Sequence, residues 1–114
     1  MTKKFELEEK CREMMEFAYM ALRDIPRDYR YTLGADIRNS AMNLMQLIVR
    51  CRKRYYKKTT LEDMDIELET LRSFIRIAAD TNVISKGEYG AWAEKLDEIG
   101  RLIGGWQRSV RNKQ

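Results

Sequence analysis

The sequence predicts an all-α fold, a single antiparallel up-down-up-down four-helix bundle, and three observations predict it. Apolar residues recur every three or four positions through four long segments, the period of one helix face. One Pro and six Gly are all that interrupt 114 residues. The stretches between segments are short, and short connections join antiparallel neighbours. No strand-period segment, internal repeat or low-complexity linker is visible, so residues 1–114 read as one domain. At 44% hydrophobic and 35% charged, the chain can build a core and still carry a broad solvated surface.

The first segment is expected at about 3–24. Cys11, Met14 or Met15, Ala18, Leu22 and Ile25 keep the helical period, and Pro26 ends it because proline cannot continue the ladder. The second is expected at 31–56, with Leu33, Ile37, Ala41, Leu44, Ile48, Cys51 and Tyr55 on its apolar face. The third is expected at 60–80. Thr59 with Glu62 fits a capping box, and Leu61, Met64, Leu68, Leu71, Ile75 and Ala78 follow. Glu62, Asp63 and Asp65 crowd its opening, as the helix dipole favours, and Asp80-Thr81-Asn82 is its stop. The fourth is expected at 86–110. Ser85 and Glu88 form a second capping box, ahead of Tyr89, Trp92, Leu96, Ile99, Ile103, Trp106 and Val110. That seam is as regular as a coiled coil's. Gly100, Gly104 and Gly105 interrupt it at up to ~1 kcal/mol each relative to Ala. A neighbouring backbone or a bulky side chain packing close there is the expected reason.

The chain has no His. Ser-His-Asp and Cys-His nucleophile systems are therefore excluded, as are His-containing zinc sites. Cys11 and Cys51 are too few for a thiolate zinc site and too far apart in sequence for a redox motif. Both fall on apolar faces and are expected as buried free thiols, which suits a reducing cytoplasm. The acids at Glu62, Asp63, Asp65, Glu67 and Glu69 carry no metal-loop glycine pattern and are expected as a solvated face. No glycine-rich loop has phosphate-cradle spacing. No catalytic residue, cofactor or metal is expected, and the chain is not expected to be an enzyme. Residues 1–10 show no export signal. The longest uncharged run, Asn39–Val49, is eleven residues, against the ~20 that a membrane span needs. A soluble protein without a membrane partner is expected.

Charge is the informative feature. The net charge is +4, but residues 30–58 hold eight bases and one acid, whereas 59–90 hold three bases and seven acids. Such asymmetry points to an anionic partner. The densest stretch contains Arg50, Arg52, Lys53, Arg54, Lys57 and Lys58, with Tyr55 and Tyr56 inside it. Arg50, Arg54 and Lys57 or Lys58 are expected to share one face of the second segment. These bases suit phosphates and the tyrosines suit stacking on bases, although a solvated helix end explains part of the run. Arg72 and Arg76 stand out in an acidic segment, but Glu69 and Asp80 lie at pairing distance along the helix, and spacing alone favours pairing. Arg101 has Asp97 and Glu98 at similar spacing. Arg108, Arg111 and Lys113 end the fourth segment, where cations favour the dipole or supply further phosphate contacts.

Several stretches resemble a known family. Ile25-Pro26-Arg27-Asp28-Tyr29-Arg30-Tyr31-Thr32-Leu33-Gly34, followed by Ile37-Arg38, is similar to the turn into helix two of small bundles related to ribosomal-RNA intervening-sequence proteins. Within that group, Leu71-Arg72-Ser73-Phe74-Ile75-Arg76 and the stretch Glu98-Ile99-Gly100-Arg101-Leu102-Ile103-Gly104-Gly105-Trp106 resemble the accessory variability determinant of diversity-generating retroelements. The likeness spans roughly Cys11 to Val110. Where the intervening-sequence branch has Asn-Ile-Ala-Glu-Gly, this chain reads Asn43-Leu44-Met45-Gln46-Leu47, which fits the accessory branch better.

The resemblance implies a non-catalytic accessory subunit of a retroelement reverse transcriptase. It implies a homo-oligomer, a pentameric ring with a basic outer surface, which binds the enzyme and RNA or DNA without strong sequence preference and supports mutagenic retrohoming. It also implies that Arg72 and Arg76 contact the polymerase or nucleic acid, which tips them from pairing to function, with the run from Arg50 to Lys58 contributing charge. Two other readings stay open: a ribosomal-RNA-associated bundle with no polymerase partner, and a plain oligomeric protein-interaction bundle.

Overall fold

The computed structural model describes residues 3–112, with side chains from Phe5 onward. It contains four long helices and one single turn: α1 (Lys3–Arg23), α2 (Arg27–Arg30), α3 (Leu33–Lys53), α4 (Lys58–Asp80) and α5 (Lys86–Asn112). Each long helix packs on two others, α1 and α4 both lying between α3 and α5. Contacts between helices fix the directions. Glu8 near the start of α1 meets Arg52 near the end of α3. Ser40 of α3 meets Glu67 of α4, Arg72 of α4 meets Asp97 of α5, and Lys10 of α1 meets Glu98 of α5. The first pair sets α1 against α3, and Lys10–Glu98 with Phe17–Trp92 sets α1 against α5. The shared cleft of Lys58 with Arg111 and the approach of Arg76 to Tyr89 set α4 against α5, and the short link 54–57 turns α3 into α4, so neighbours run antiparallel. The four-helix bundle is 48 × 22 × 21 Å.

The core lies where the apolar period put it. Ile37, Ala41, Leu44, Ile48 and Cys51 of α3 are buried, as are Leu61, Met64, Leu68, Leu71, Ile75 and Ala78 of α4. From α5 come Trp92, Leu96, Ile99, Ile103 and Trp106, and α1 adds Leu7, Cys11, Met14, Ala18 and Leu22. Met14 takes the core position and Met15 packs at its edge. Fully burying one such side chain contributes about 1.5–3 kcal/mol, so this shared interior, rather than helix propensity, holds the bundle. Both cysteines are free and buried. Burial first, then Glu8, pushes the Cys11 thiol up to about 12. Burial raises Cys51 to about 11, with Lys57 pulling the other way. Among the described residues no helix is long and apolar enough to cross a membrane.

Helix ends differ from expectation in three places. The second segment does not begin at Tyr31. After Pro26 the chain makes the α2 turn, with Tyr29 N–H on the Pro26 carbonyl at 2.9 Å and Arg38 reaching back to the Arg30 carbonyl at 2.7 Å. Gly34 then lets α3 start hard against this turn, since a Cβ there would stand 2.9 Å from the Tyr29 carbonyl oxygen. At its other end α3 stops at Lys53, because Arg54 turns extended (φ −85°, ψ 147°). Tyr55, expected on the apolar face, is 85% exposed. Finally, α4 starts at Lys58, two residues early, with Lys57 as its cap and no side-chain cap bond. Thr59 therefore sits inside the first turn rather than capping it, and that turn carries no acid.

The other two signals hold. Ser85 and Glu88 form the capping box: Glu88 N–H donates to Ser85 Oγ at 3.0 Å and Ser85 N–H to Glu88 Oε1 at 2.9 Å. The stop after Asp80 is a Schellman motif. Asn82 takes the left-handed conformation (φ 61°). Val83 N–H reaches the Ala78 carbonyl at 2.8 Å and Asn82 N–H the Ala79 carbonyl at 3.1 Å.

Candidate nucleic-acid interface

The antiparallel packing gathers the C-terminal ends of α3 and α5 beside the N-terminal end of α4. The basic stretch Arg50–Lys58 runs through this end of the bundle. The early stop of α3 breaks the expected single face of Arg50, Arg54 and Lys57 or Lys58, because only Arg50 of that set is helical within α3.

Four of the eight singled-out cations are engaged. Lys57 folds back as a cap for α3: its Nζ donates to the carbonyls of Cys51 at 2.8 Å, of Arg52 at 3.5 Å and of Arg54. It also lies 5.9 Å from the Trp106 ring centre. Arg52 bonds Glu8 at 3.3 Å and sits 5.8 Å from the Phe5 ring centre. Arg72 ties α4 to α5. Its Nη1 donates to Asp97 at 2.5 Å and its Nη2 to the Leu96 carbonyl at 3.3 Å. Its Nε lies 3.2 Å from Glu69, an ion-pair distance without hydrogen-bond alignment. Arg76 donates to Asp80 at 3.1 Å and lies 5.9 Å from the Tyr89 ring centre. Tyr89 and Asp80 together raise its pKa. Arg76 remains 65% exposed, whereas Arg72 is 31% exposed.

The pairing that spacing allowed for Arg72 and Arg76 is thus present. For Arg72 the stronger ties cross to α5, and they account for Gly100. A Cβ there would stand 2.9 Å from Arg72 Nη2, so the bulky neighbour expected at this glycine is Arg72. Arg101 behaves in the opposite way. Its two prospective partners are taken by other helices, Asp97 by Arg72 and Glu98 by Lys10.

The other four cations, Arg50, Lys53, Arg54 and Lys58, are exposed, and no described acid lies within ion-pair distance of them. The fold adds Arg108 and Arg111, equally unpaired. They line a cleft of about 320 Å³ with Lys58, Glu62, Gly104 and Gln107. Beside it a second cleft, about 420 Å³, is lined by Tyr55, Tyr56, Lys57, Lys58, Trp106 and Ser109. Lys113 lies outside the described residues. In sequence Arg108 and Arg111 are a basic helix end that could supply further phosphate contacts, and nothing there signals that they share a cleft with Lys58. Such a surface can attract and neutralise phosphates. The acids expected as a solvated face are mostly that, although Glu67 is half-buried and accepts Ser40 Oγ at 2.7 Å. Among the described residues no group of His, Cys, Asp and Glu could hold a metal ion.

Compared with models of protein families, residues 5–110 match the one described as bAvd-like. No curated protein matches the chain.

Proposed function

Because the chain belongs to the bAvd-like family, we propose that it is a non-catalytic accessory subunit of a retroelement reverse transcriptase, a cytoplasmic basic scaffold for the enzyme and its template RNA or cDNA in mutagenic retrohoming. The observation that carries the nucleic-acid part is the end of the bundle where Arg50, Lys53, Arg54, Lys58, Arg108 and Arg111 stand exposed with no acid partner among the described residues. Phosphate contacts of this kind are salt-sensitive and largely blind to sequence. In a homopentamer the patch recurs in every subunit, and avidity multiplies weak contacts. Ile66 and Ile77, 64% and 48% exposed on the outer side of α4, offer apolar area for such assembly or for the enzyme. Of the two arginines on α4, Arg76 is the accessible one and takes the contact role. Arg72 positions the α4–α5 seam beneath it.

The test is anisotropy of labelled RNA titrated with the full chain across a salt series, with co-purification of the reverse transcriptase from the same element. Affinity is expected to fall linearly with salt on logarithmic axes. It should drop at least about tenfold in Arg50→Glu/Arg54→Glu, which reverses two phosphate contacts. Arg76→Glu should weaken RNA binding or enzyme capture without loss of helicity. RNA binding without enzyme capture would favour a ribosomal-RNA-associated bundle. Neither activity would leave an interaction bundle and end the proposal.

A further inference from the structure

We propose that the basic end of the bundle is built for single-stranded nucleic acid, with phosphates in the cleft between α4 and α5 and an unpaired base on the Tyr55–Tyr56 pair. The inference rests on the nucleic-acid reading above and specifies the form of nucleic acid.

Tyr55 and Tyr56 are 85% and 84% exposed. They lie on the irregular stretch between α3 and α4, where Arg54 has left the helix. Their rings meet edge to face, centroids 4.8 Å apart and planes at 83°. That geometry leaves a broad ring face open to solvent, and neither side chain contributes to the core. The cleft they border is floored by Trp106, 8% exposed. Lys58 and Val110 line this cleft and the neighbouring cationic one alike, so the two lie side by side. Each volume falls in the ~300–1,000 Å³ range of small-ligand clefts. The aromatic surface and the cations Lys58, Arg108 and Arg111 therefore lie along one path.

A base must leave its stack to present a face to a tyrosine. Paired bases in a duplex do not, whereas single strands combine stacking on aromatics with a cationic track for the backbone. A surface meant only for duplex phosphates has no use for two bare aromatic rings. Gly104 keeps the cleft floor low, and Arg108 Nη1 already stands 3.4 Å from where a Cβ would be. Beyond the tyrosine hydroxyls, Gln107 and Ser109 are the uncharged polar side chains that line the two clefts beside the cations, too few for a hydrogen-bond code, so base preference should be weak. Glu62 also lines the cationic cleft. It opposes an anion there, and this supplies a test in the reverse direction.

The experiment compares a labelled, unstructured single strand of about 20 nucleotides, longer than the ~4–16 covered by one small binding module, with a duplex of equal length at matched salt. RNA and DNA versions are both run on the full chain. The single strand should bind about tenfold tighter or better. Tyr55→Ala/Tyr56→Ala should weaken single-strand binding roughly 5- to 150-fold, the range of one lost stacking contact, and leave duplex binding and the salt slope unchanged. Tyr55→Phe/Tyr56→Phe, which keeps the rings, should stay within about twofold of wild type. Arg108→Gln/Arg111→Gln should lower the single-strand salt slope by about 1.4, and Glu62→Gln should tighten binding. Equal affinity for single strand and duplex would overturn the inference and spare the broader function. So would an alanine pair that binds single strands normally but loses a protein partner. No binding of either form would overturn both the inference and the nucleic-acid part of the proposed function.

Discussion

Replacing Gly100 by Ala tests whether Arg72 is a tether between helices or a free cation. In the middle of a helix, Ala is favoured over Gly by about 1 kcal/mol. Here the new Cβ would stand 2.9 Å from Arg72 Nη2 and 3.3 Å from Leu68 Cδ2. An arginine tip normally swings away from such a contact. This one is held by Asp97 at 2.5 Å and the Leu96 carbonyl at 3.3 Å, beside Glu69 at 3.2 Å. Displacing Nη2 breaks the Leu96 bond and loosens the Asp97 one. Hydrogen bonds to charged groups contribute about 1.5–3 kcal/mol, less where solvent screens them, and Asp97 is 54% exposed. A loss of about 2 kcal/mol follows, so Gly100→Ala should destabilise the protein by about 1 kcal/mol net. In an Arg72→Ala background the obstacle and its bonds are gone. The same substitution should then stabilise by about 1 kcal/mol, giving a coupling of about 2 kcal/mol. Urea unfolding of the four proteins, followed by circular dichroism, measures the cycle. Stabilisation by Gly100→Ala in both backgrounds would refute the tether and return Arg72 to the pool of mobile cations.

Ser85→Ala should cost about 1 kcal/mol in the same assay, because it removes a formed cap. Thr59→Ala should stay within about 0.5 kcal/mol, because no cap bond forms there. The thiols set an alkaline limit. Burial raises Cys11 to about 12 and Cys51 to about 11, whereas unfolded thiols titrate near ~8.5. The thiol contribution is therefore intact below that value. It falls by up to about 1.4 kcal/mol per pH unit per thiol as the unfolded state alone ionises, and is lost through the folded values. Unfolding curves between pH ~8 and ~11 check the sign, and Cys51→Ala should reduce the slope. Rapid stoichiometric thiol labelling of the native chain would contradict it. Lys58→Gln should leave stability unchanged or raise it by a few tenths of a kcal/mol, since a cation at a helix N-terminus opposes the dipole. It should also weaken RNA binding and lower the salt slope by about one. A stability loss of about 1 kcal/mol or more would show that Lys58 serves the fold.

The apolar faces were legible because burial imposes a strict period. Every position from Leu61 to Ala78 that kept it is buried. Ends were legible only where a local motif decides them, as at Ser85–Glu88 and Asn82. At the α3–α4 junction the deciding group is Lys57, which reaches back to carbonyls three to six residues earlier. Tyr55 keeps the apolar spacing, but the chain has already left the helix before it. The same limit governs the charges. Along one helix, spacing offered Asp97 and Glu98 to Arg101, yet Arg72 and Lys10 claim them from neighbouring helices. Periodicity orders residues on one helix and says nothing of which side chain of the next helix arrives first.

The distinction between cations that serve the fold and cations that face outward follows from the helix dipole. Arg50, Lys53, Arg108 and Arg111 lie near the C-terminal ends of α3 and α5, where a positive charge is favoured by about 0.3–1 kcal/mol without any partner. Their presence alone is weak evidence for a ligand. Lys58 is different. It is the first residue of α4, at the positive end of that dipole, exposed and without a described acid in ion-pair range. Glu62, one turn on, is spaced for an ion pair with Lys58 that does not form. Local energetics would place an acid or a capping residue at this position. A lysine there, between the Tyr55–Tyr56 pair and the two arginines of α5, is placed against the preference of its own helix and in favour of a shared anion. That conflict between local preference and position is what separates a binding surface from an ordinary basic helix end.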